Sequence, residues 1–432
     1  MTAPTTKVDA TLLERRQRLL GPAYRLFYDE PLHIVRGEGV WLTVADGRRY
    51  LDLYNNVPHV GHCRPEVVEA ICRQAAELNT HTRYLHSNVV DYAERLLGLL
   101  PDDLNTVMFS CTGTEANELA LRIAREVTNA RGIIVTEFAY HGNSQLIADI
   151  STEDTPPERR PDYVETVPFP DCYRGIHRDE DAAERYAAHI DDAVARLAAR
   201  GIKPAAFVVD TISSSSGVVE PPAGYLQFAA ARARAAGALL IADEVQPGFG
   251  RTGRHFWGFE ADKVVPDITT MGKPMGNGHP LAATVVRREL LDAFAKRTGY
   301  FNTFGGNPVS AAAGLAVLDV IESDGLQKNA LQVGSYLRAK IESLSERFAA
   351  IGDVRGHGLF LAIDLVRDRQ SREPATALAR TLVNGLKERG VLTNTIGPHA
   401  NVLKLRPPMV FSADNADTFL QAFAEALEDA PA

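Results

Sequence analysis

Short apolar runs alternate with amphipathic stretches through the middle of the chain. Runs of this length that end in turn residues are typical of buried strands, and the stretches between them repeat apolar residues at helical spacing. The alternation predicts a largely parallel sheet with crossover helices. Strands are expected at residues 106–110, 132–136, 205–210, 238–242 and 267–271, and helices at residues 66–78 and 181–199, with another helix opening at Thr112.

The two ends of the chain have a different pattern. Asp46-Gly47 separates two short β-like segments and is a strong hairpin signal. We therefore expect an α/β protein with a large domain over residues 61–317 and a small α+β domain formed by residues 1–60 and 318–432. The elements predicted in the small domain are a helix at 11–20, strands at 32–36, 41–44 and 50–53, a helix at 334–348, and strands at 359–365 and 402–405.

Polar residues follow the carboxyl ends of the five predicted central strands. In open parallel sheets, ligands bind at this edge, so we expect these residues to lie close together. They supply hydroxyl groups, an aromatic ring, carboxylates and a lysine, a combination that suits a flat, phosphorylated, aldehyde-bearing heterocycle. The residues are Thr112 to Thr114, Tyr140 to Gly142, Asp210, Asp243 and Lys273.

Lys273 lies between Gly272 and Pro274, and a residue before proline is driven away from helical backbone angles. A lysine on a turn at the end of a buried strand loses solvation and becomes a nucleophilic amine, as Schiff-base chemistry requires. An ordinary solvated surface lysine is the alternative, and only the neighbouring residues decide between the two.

Thr112-Gly113-Thr114-Glu115 fits a capping box that opens a helix with an apolar stripe. The unpaired amides of a helix start, the positive end of its dipole and two threonine hydroxyls predict a phosphate site, and Gly113 lets an anion approach the backbone. A helix cap with no ligand is the alternative interpretation.

Composition excludes several classes of function. With 432 residues and 45% apolar content, the chain can bury a large core. A net charge of -9 without a basic stripe argues against nucleic acid as a partner, and no apolar run is long enough to cross a membrane. The residues near the start do not fit a secretory signal, so we expect a cytoplasmic protein.

Cysteine usage also favours a reducing compartment, because four cysteines without CxxC spacing are too few to staple this chain. We expect them to be buried thiols. His59, His62 and Cys63 lack a fourth ligand at suitable spacing, so a loop near a pocket is favoured over a zinc site and no metal is expected. The four cysteines are Cys63, Cys72, Cys111 and Cys172.

Five motifs resemble, in order and approximate spacing, the class III aminotransferases, which are fold-type I pyridoxal-phosphate enzymes. They are FSCTGTEAN, YHG, IADEVQPGFGRTG, MGKPMGNG and FNTFGGNPVS. The likeness extends over nearly the whole chain and implies pyridoxal 5'-phosphate as cofactor and a homodimer or a larger homo-oligomer. For His141, a purely structural role stays as open as a functional one.

The resemblance assigns roles to individual residues. It implies that Lys273 binds the cofactor aldehyde covalently, Asp243 pairs with the pyridinium nitrogen, Gln246 contacts the ring hydroxyl, Tyr140 covers the ring face, Gly113 and Thr114 hold the phosphate, and Thr303 reaches the phosphate in the partner subunit. A carboxylate beside the ring nitrogen keeps that nitrogen protonated, so the ring can accept electrons.

Two positions depart from the aminotransferase pattern. Family members that grip a substrate carboxylate carry Arg-x-x-Pro-Pro near the C-terminus, whereas this chain has Lys404 in the arginine position. Ser215 takes the place of the glutamate that neutralises this arginine in those members. Lysine lacks the planar fork of arginine but serves well as a point charge for phosphate.

Further motifs resemble the ethanolamine-phosphate and phosphohydroxylysine phospho-lyases within this family. They include NTHTRYLH, GLAVLDVIE, IGDVRG, GLFLAIDLV and NVLKLRPPM. This resemblance implies β-elimination of phosphate from a small phosphorylated amine, with Arg83 and Lys404 as candidates for binding the substrate phosphate. Asp210 stands where that subfamily usually has glutamate. The alternatives are an omega-type aminotransferase that uses a 2-oxo acid and a non-enzymatic, cofactor-binding regulator.

Overall fold

The computed structural model describes residues 10–430, with a seven-stranded sheet at its centre. The strands are β1 (Ile34–Glu38), β2 (Trp41–Val44), β3 (Arg49–Asp52), β4 (Thr106–Ser110), β5 (Gly132–Thr136), β6 (Val164–Val167), β7 (Pro204–Asp210), β8 (Leu239–Asp243), β9 (Ile268–Met271), β10 (Ala282–Val286), β11 (Ile351–His357), β12 (Phe360–Asp368), β13 (Glu373–Pro374), β14 (Val391–Leu392), β15 (Asn394–Ile396) and β16 (Val402–Leu405). The α-helices are α1 (Ala10–Leu20), α2 (Pro65–Glu77), α3 (Ser87–Leu97), α4 (Gly113–Thr128), α5 (Gln145–Ile150), α6 (Ala182–Ala199), α7 (Tyr225–Ala235), α8 (Arg288–Ala295), α9 (Pro308–Ser323), α10 (Leu326–Arg347), α11 (Thr376–Glu388) and α12 (Ala413–Glu428).

The central sheet has the strand order β4-β10-β9-β8-β7-β5-β6. Five neighbouring strands, from β9 to β6, pair in parallel, which confirms the predicted α/β class with a largely parallel sheet. Every residue of β7 is buried, as expected for a strand covered by helices on both faces.

Strand β10 was not predicted, and it runs antiparallel to both of its neighbours, β9 and β4. Its five residues, Ala282 to Val286, are completely buried and, apart from Thr284, apolar. This short run has the pattern that is typical of a buried strand. The connection from β9 to β10 is too short for a crossover helix, and parallel neighbours need such a helix. The strand therefore returns beside β9 in the opposite direction.

Two smaller sheets lie outside the central one. Strands β1, β2 and β3 form a meander, and the predicted hairpin at Asp46-Gly47 is confirmed by antiparallel β2–β3 pairing and a positive φ at Gly47. Strand β14 joins β3 in parallel, which ties the N-terminal segment to the C-terminal part. Strands β11, β12, β16 and β15 form the other sheet, with β13 paired to β12. The boundaries at 60/61 and 317/318 stay a prediction.

The expectation of buried thiols is wrong. Cys63, Cys72 and Cys172 are exposed and Cys111 is partly exposed, although all four are free of disulfide bonds. Cys72 follows Ile71 on α2, and helical spacing turns it away from the face that packs inward. Within residues 10–430, every helix is too short or too polar to span a lipid bilayer.

His59 and His62 have separate partners. The Nε2 atom of His59 lies 2.9 Å from the Phe249 carbonyl oxygen, and His62 Nε2 lies 2.7 Å from Asp52 Oδ2. His59 is completely buried, and burial lowers its pKa well below the ordinary value. Its neighbour Val57 lines the cavity described next, as expected for a loop near a pocket.

Candidate active site

A cavity of about 330 Å³ opens at the carboxyl edge of the central sheet. Residues that follow β4, β5, β7, β8 and β9 all contribute to its wall, because parallel strands end at the same edge. The structure thus brings together most of the residues that the sequence singled out. Those that line the cavity are Gly113, Thr114, Tyr140, Asp210, Asp243, Gln246 and Lys273.

Lys273 lies on a tight turn directly after β9. The Met275 amide donates to the Gly272 carbonyl oxygen at 2.8 Å, which closes the turn around the lysine. Burial and the nearby charge of Arg406 lower the pKa of Lys273 to about 8, against the opposing effect of Asp243 and Asp210. A substantial fraction of this amine is therefore neutral near pH 7.5 and can act as a nucleophile or a base.

Asp243, at the end of β8, is 5% exposed and held by three donors. Its Oδ2 atom lies 2.7 Å from His141 Nδ1 and accepts from Asn117 Nδ2 at 2.9 Å, while Oδ1 accepts from the Val245 amide at 3.0 Å. Hydrogen bonds of this kind stabilise the ionised carboxylate. His141 therefore helps to hold the Asp243 carboxylate in place through its contact with Oδ2.

Asn117 is a site residue that the sequence analysis missed. Its side chain bridges the loop after β5 to β8 and β9 by donating to the His141 carbonyl oxygen and to Asp243, and by accepting from Thr270 Oγ1. The available signal was its position on α4, one turn after the capping box. That position faces the same strand ends as the helix start.

The start of α4 forms the predicted capping box. Thr112 Oγ1 accepts from the Glu115 amide at 3.1 Å, and Glu115 Oε2 accepts from the Thr112 amide at 3.0 Å. Gly113 and Thr114 come next, line the cavity and occupy helix positions whose amides have no intrahelical acceptor. A Cβ atom on Gly113 would lie 2.9 Å from the Val245 side chain, so only glycine fits there.

Gly142 lies against Thr114 on the other side of this helix start. Gly113, Thr114 and Gly142 together form a small concave surface, which we call the phosphate cup. The φ of Gly142 is +139°, and a Cβ atom would lie 2.4 Å from Thr114 Oγ1. Thr114 Oγ1 also donates to Asn143 Oδ1 at 3.2 Å, which joins the loop after β5 to the helix start. The cup is therefore built from two glycines and a threonine in close contact.

Asp210 and the loop that follows it form the wall beside Asp243. Its carboxylate accepts from the Ile212 and Ser214 amides at 3.2 and 2.9 Å. Burial and the Asp243 charge raise the pKa of Asp210. Ser215 hydrogen-bonds to Glu153, a carboxylate that the sequence analysis did not identify. Burial raises the pKa of Glu153, against the opposing effects of the Ser215 hydrogen bond and the Lys404 charge.

Gln246 connects the cavity to two buried cations. Lys404 Nζ donates to Gln246 Oε1 at 3.3 Å and to the Ser214 carbonyl oxygen at 3.0 Å. Arg406 Nη1 donates to the same Gln246 oxygen. Because both donors converge on Oε1, the amide group of Gln246 is left to donate elsewhere.

Arg83 and Thr303 do not line the cavity of their own protomer. Arg83 is exposed, and its guanidinium carbon lies 4.0 Å from the centroid of the Phe301 ring. Thr303 is also exposed, in the loop before α9. Tyr140 does line the cavity and is 37% exposed.

These residues fit pyridoxal phosphate. The cup at Gly113 and Thr114 suits a phosphate, and the carboxylate of Asp243 suits a protonated ring nitrogen. Lys273 suits an aldehyde, and the free amide group of Gln246 suits a ring hydroxyl. The donor set therefore matches the parts of this cofactor one by one.

Comparison with known proteins agrees with this match. The family model described as aminotransferase class-III matches residues 27–427. A Drosophila melanogaster protein named alanine–glyoxylate aminotransferase 2-like is 45% identical over 426 residues, which cover 96% of this chain and 86% of that protein. A Caenorhabditis elegans protein named ethanolamine-phosphate phospho-lyase homolog 1 is 40% identical over 422 residues, which cover 94% of this chain and 90% of that protein.

Solved structures give the same result. A phospholyase from Arthrobacter in complex with phosphoethanolamine is 47% identical and superimposes with a TM-score of 0.94. The alignment covers 97% of this chain and 100% of that one. The chain therefore belongs to the class III aminotransferase family, whose cofactor is pyridoxal 5'-phosphate.

Proposed function

We propose that the chain is a phospho-lyase that eliminates phosphate from a 1-amino-2-phosphate such as O-phosphoethanolamine. The products are an aldehyde, ammonia and phosphate. The observation that carries this proposal is Lys404, a buried lysine beside the cavity at the position where aminotransferases of this family grip a carboxylate with arginine. Similarity to a phospholyase with bound phosphoethanolamine supports it.

In this proposal, each residue of the cavity has one task. When bound, pyridoxal phosphate supplies an electron-accepting ring conjugated to the amine carbon of the substrate. Asp243 sustains the positive charge on the ring nitrogen, and His141 and Asn117 hold its carboxylate in place. Gly113 and Thr114 hold the cofactor phosphate at the start of α4.

Lys273 moves the proton of the reaction. Its Nζ takes a proton from C1 of the substrate, and the electrons of the C2–O bond leave with the phosphate. Water then converts the remaining two-carbon enamine into an aldehyde and ammonia, so no 2-oxo acid is consumed. Lys404 stabilises the negative charge that develops on the departing oxygen.

The working unit in this proposal is a homodimer with Arg83 and Thr303 reaching the partner's cavity. In one protomer, the loops that carry them expose Leu85 fully, Tyr84 by 67% and Phe304 by 70%. Exposed apolar side chains grouped in this way are typical of a subunit interface. Four free cysteines support a reducing, cytoplasmic location.

A paired assay tests the proposal. Purified holoenzyme is incubated with O-phosphoethanolamine alone and, separately, with an unphosphorylated amine plus pyruvate or 2-oxoglutarate. We expect phosphate release in the first reaction and little amino-acid product in the second. Amino-acid formation without phosphate release would instead make the chain an omega-type aminotransferase.

A further inference from the structure

Two buried basic side chains share one neutral oxygen beside the active-site cavity. Lys404 is 3% exposed and Arg406 is 8% exposed, and both donate to Oε1 of Gln246. Within residues 10–430, neither forms a salt bridge with a carboxylate. Burial and the nearby Arg406 charge lower the pKa of Lys404 well below its ordinary value, against the opposing effect of Asp210 and Glu153, which do not form ion pairs with it. An anion placed beside Lys404 would favour its charged form.

The other contacts of these cations compensate only in part. The Arg406 guanidinium lies over the Tyr54 ring at 4.5 Å, and Lys404 Nζ lies 5.3 Å from the centroid of the Phe360 ring. Such contacts stabilise a cation weakly compared with an anion. The Nε atom of Arg406 is buried without a hydrogen-bond partner. Burying charge in this way is costly unless an anion completes the site.

Arg251 shows what a purely structural buried arginine looks like in the same protein. It is completely buried, and its Nη1 atom donates to the carbonyl oxygens of Leu359 and Pro407 at 3.0 and 2.7 Å. Its Nη2 atom lies 3.1 Å from His59 Nδ1. Both arginines leave Nε without a hydrogen-bond partner, but Arg251 is held by two carbonyl oxygens and a histidine nitrogen, whereas Arg406 has the Tyr54 side chain and one amide oxygen that it shares with Lys404.

The shared oxygen belongs to the reaction cavity. Gln246 lines it together with Lys273, and the charge of Arg406 reaches the Lys273 amine. An anion placed between Lys404 and Arg406 would therefore lie next to the atom that moves the proton.

We infer that Arg406 joins Lys404 in binding the substrate phosphate, and that a phosphate oxygen takes the place of Gln246 Oε1 between the two cations. Arg406 then supplies the planar fork that Lys404 lacks, and it stabilises the leaving group along with it. This inference rests on the proposed function and adds a specificity residue to it. Arg83, which lies outside the cavity of its own protomer, becomes a secondary contributor.

The test measures inorganic phosphate binding to the holoenzyme by titration calorimetry, because the bound cofactor already fills the other phosphate site. Arg406→Gln and Lys404→Gln should each weaken binding by about tenfold to a hundredfold, the usual loss for one charged hydrogen bond. Arg406→Lys keeps the charge but loses the planar fork, so its affinity should lie between those of the wild-type protein and Arg406→Gln. Arg160→Gln is the matched control, since it removes a partly buried arginine that lines a different pocket and forms no salt bridge with any carboxylate of residues 10–430.

The outcomes separate this inference from the proposed function. If wild-type protein binds no inorganic phosphate, or if Arg406→Gln binds it as tightly as the Arg160→Gln control, the inference is overturned even where phosphoethanolamine is cleaved. If phosphate binds and Arg406→Gln weakens it, the site stands even where elimination fails. Absorbance of the bound cofactor and thermal unfolding confirm that each variant is folded and loaded.

Kinetics provide a second readout that a merely structural role would not give. Arg406→Gln should raise KM and lower kcat for O-phosphoethanolamine together, because the cation acts on both the bound and the departing phosphate. Exchange of the substrate C1 proton with unphosphorylated ethanolamine reports the effect of the substitution on Lys273 alone, so it should slow much less than turnover of O-phosphoethanolamine. Equal losses for both substrates would show that Arg406 only supports the fold.

Discussion

The lowered pKa of Lys273 predicts a pH dependence that can be measured directly. With a pKa of about 8, about a quarter of the Lys273 amines are neutral at pH 7.5. With the ordinary value of 10.5, only about one in a thousand would be neutral. The cavity therefore raises the reactive fraction by about 200-fold near neutral pH.

The assay removes the cofactor and follows its recapture by stopped-flow absorbance between pH 6 and pH 10. Borohydride trapping and mass spectrometry identify the modified lysine. The rate should climb about tenfold per pH unit and level off near pH 8, where the neutral amine becomes the main form. A short lysine peptide, treated identically, should continue to climb towards its own pKa.

Arg406→Gln sharpens this prediction, because Arg406 is the main charged neighbour that lowers the pKa. Removing a like charge favours the protonated lysine, so the level region should move to higher pH. A rate that climbs steadily to pH 10 in the wild-type protein would refute the reasoning. So would trapped cofactor on a lysine other than Lys273.

The lowered pKa of Lys273 also makes the free energy of unfolding of the cofactor-free protein depend on pH, and this free energy should increase as the pH rises. Between about pH 8 and pH 10.5 the folded chain binds fewer protons at Lys273 than the unfolded chain does. The cost of burying the ammonium is fully present below pH 8 and is relieved as the pH rises through this window. Lys273→Met should remove this increase in thermal stability with pH.

Further predictions concern the carboxylate, the subunit interface and the helix start. Asp243→Asn should lower kcat by at least about a hundredfold while circular dichroism is unchanged, and an unaltered kcat would contradict its role. Mixing inactive Lys273→Ala with weakened Arg83→Ala should give more activity than the same amount of Arg83→Ala alone if a site combines two subunits, because each mixed dimer regains one complete site; no gain would argue against shared sites. Thr112→Val deletes the cap of α4 and should lower the free energy of unfolding by about 1 kcal/mol, measured by denaturant titration; an equal midpoint would show that the cap is dispensable.

The sequence predicted the elements that follow from local patterns. The strands ending at Ser110, Asp210 and Asp243 and the capping box at Thr112 depend on apolar runs and short-range hydrogen bonds, and both are visible in the chain itself. Parallel pairing then places their ends together, which is why the cavity was foreseeable. Lys273 was identified for the same reason, from a strand followed by a glycine and a proline.

Long-range contacts could not be read from the sequence. Asn117 meets Asp243 across 126 positions, and Arg406 meets Gln246 across 160. No local pattern marks an asparagine inside a helix or an arginine after a strand as part of a site. Arg83 lies outside the cavity of its own protomer, so its role in substrate binding stays a prediction that depends on a partner subunit.

The most direct test of the account is the stoichiometry of a long reaction with O-phosphoethanolamine and no 2-oxo acid. Phosphate and acetaldehyde are measured against time in a reaction that contains a large excess of substrate over holoenzyme. The account predicts equal amounts of both products, rising linearly through many turnovers, because elimination returns the cofactor unchanged. A reaction that stops after one turnover per site and resumes only when pyruvate or 2-oxoglutarate is added would contradict it.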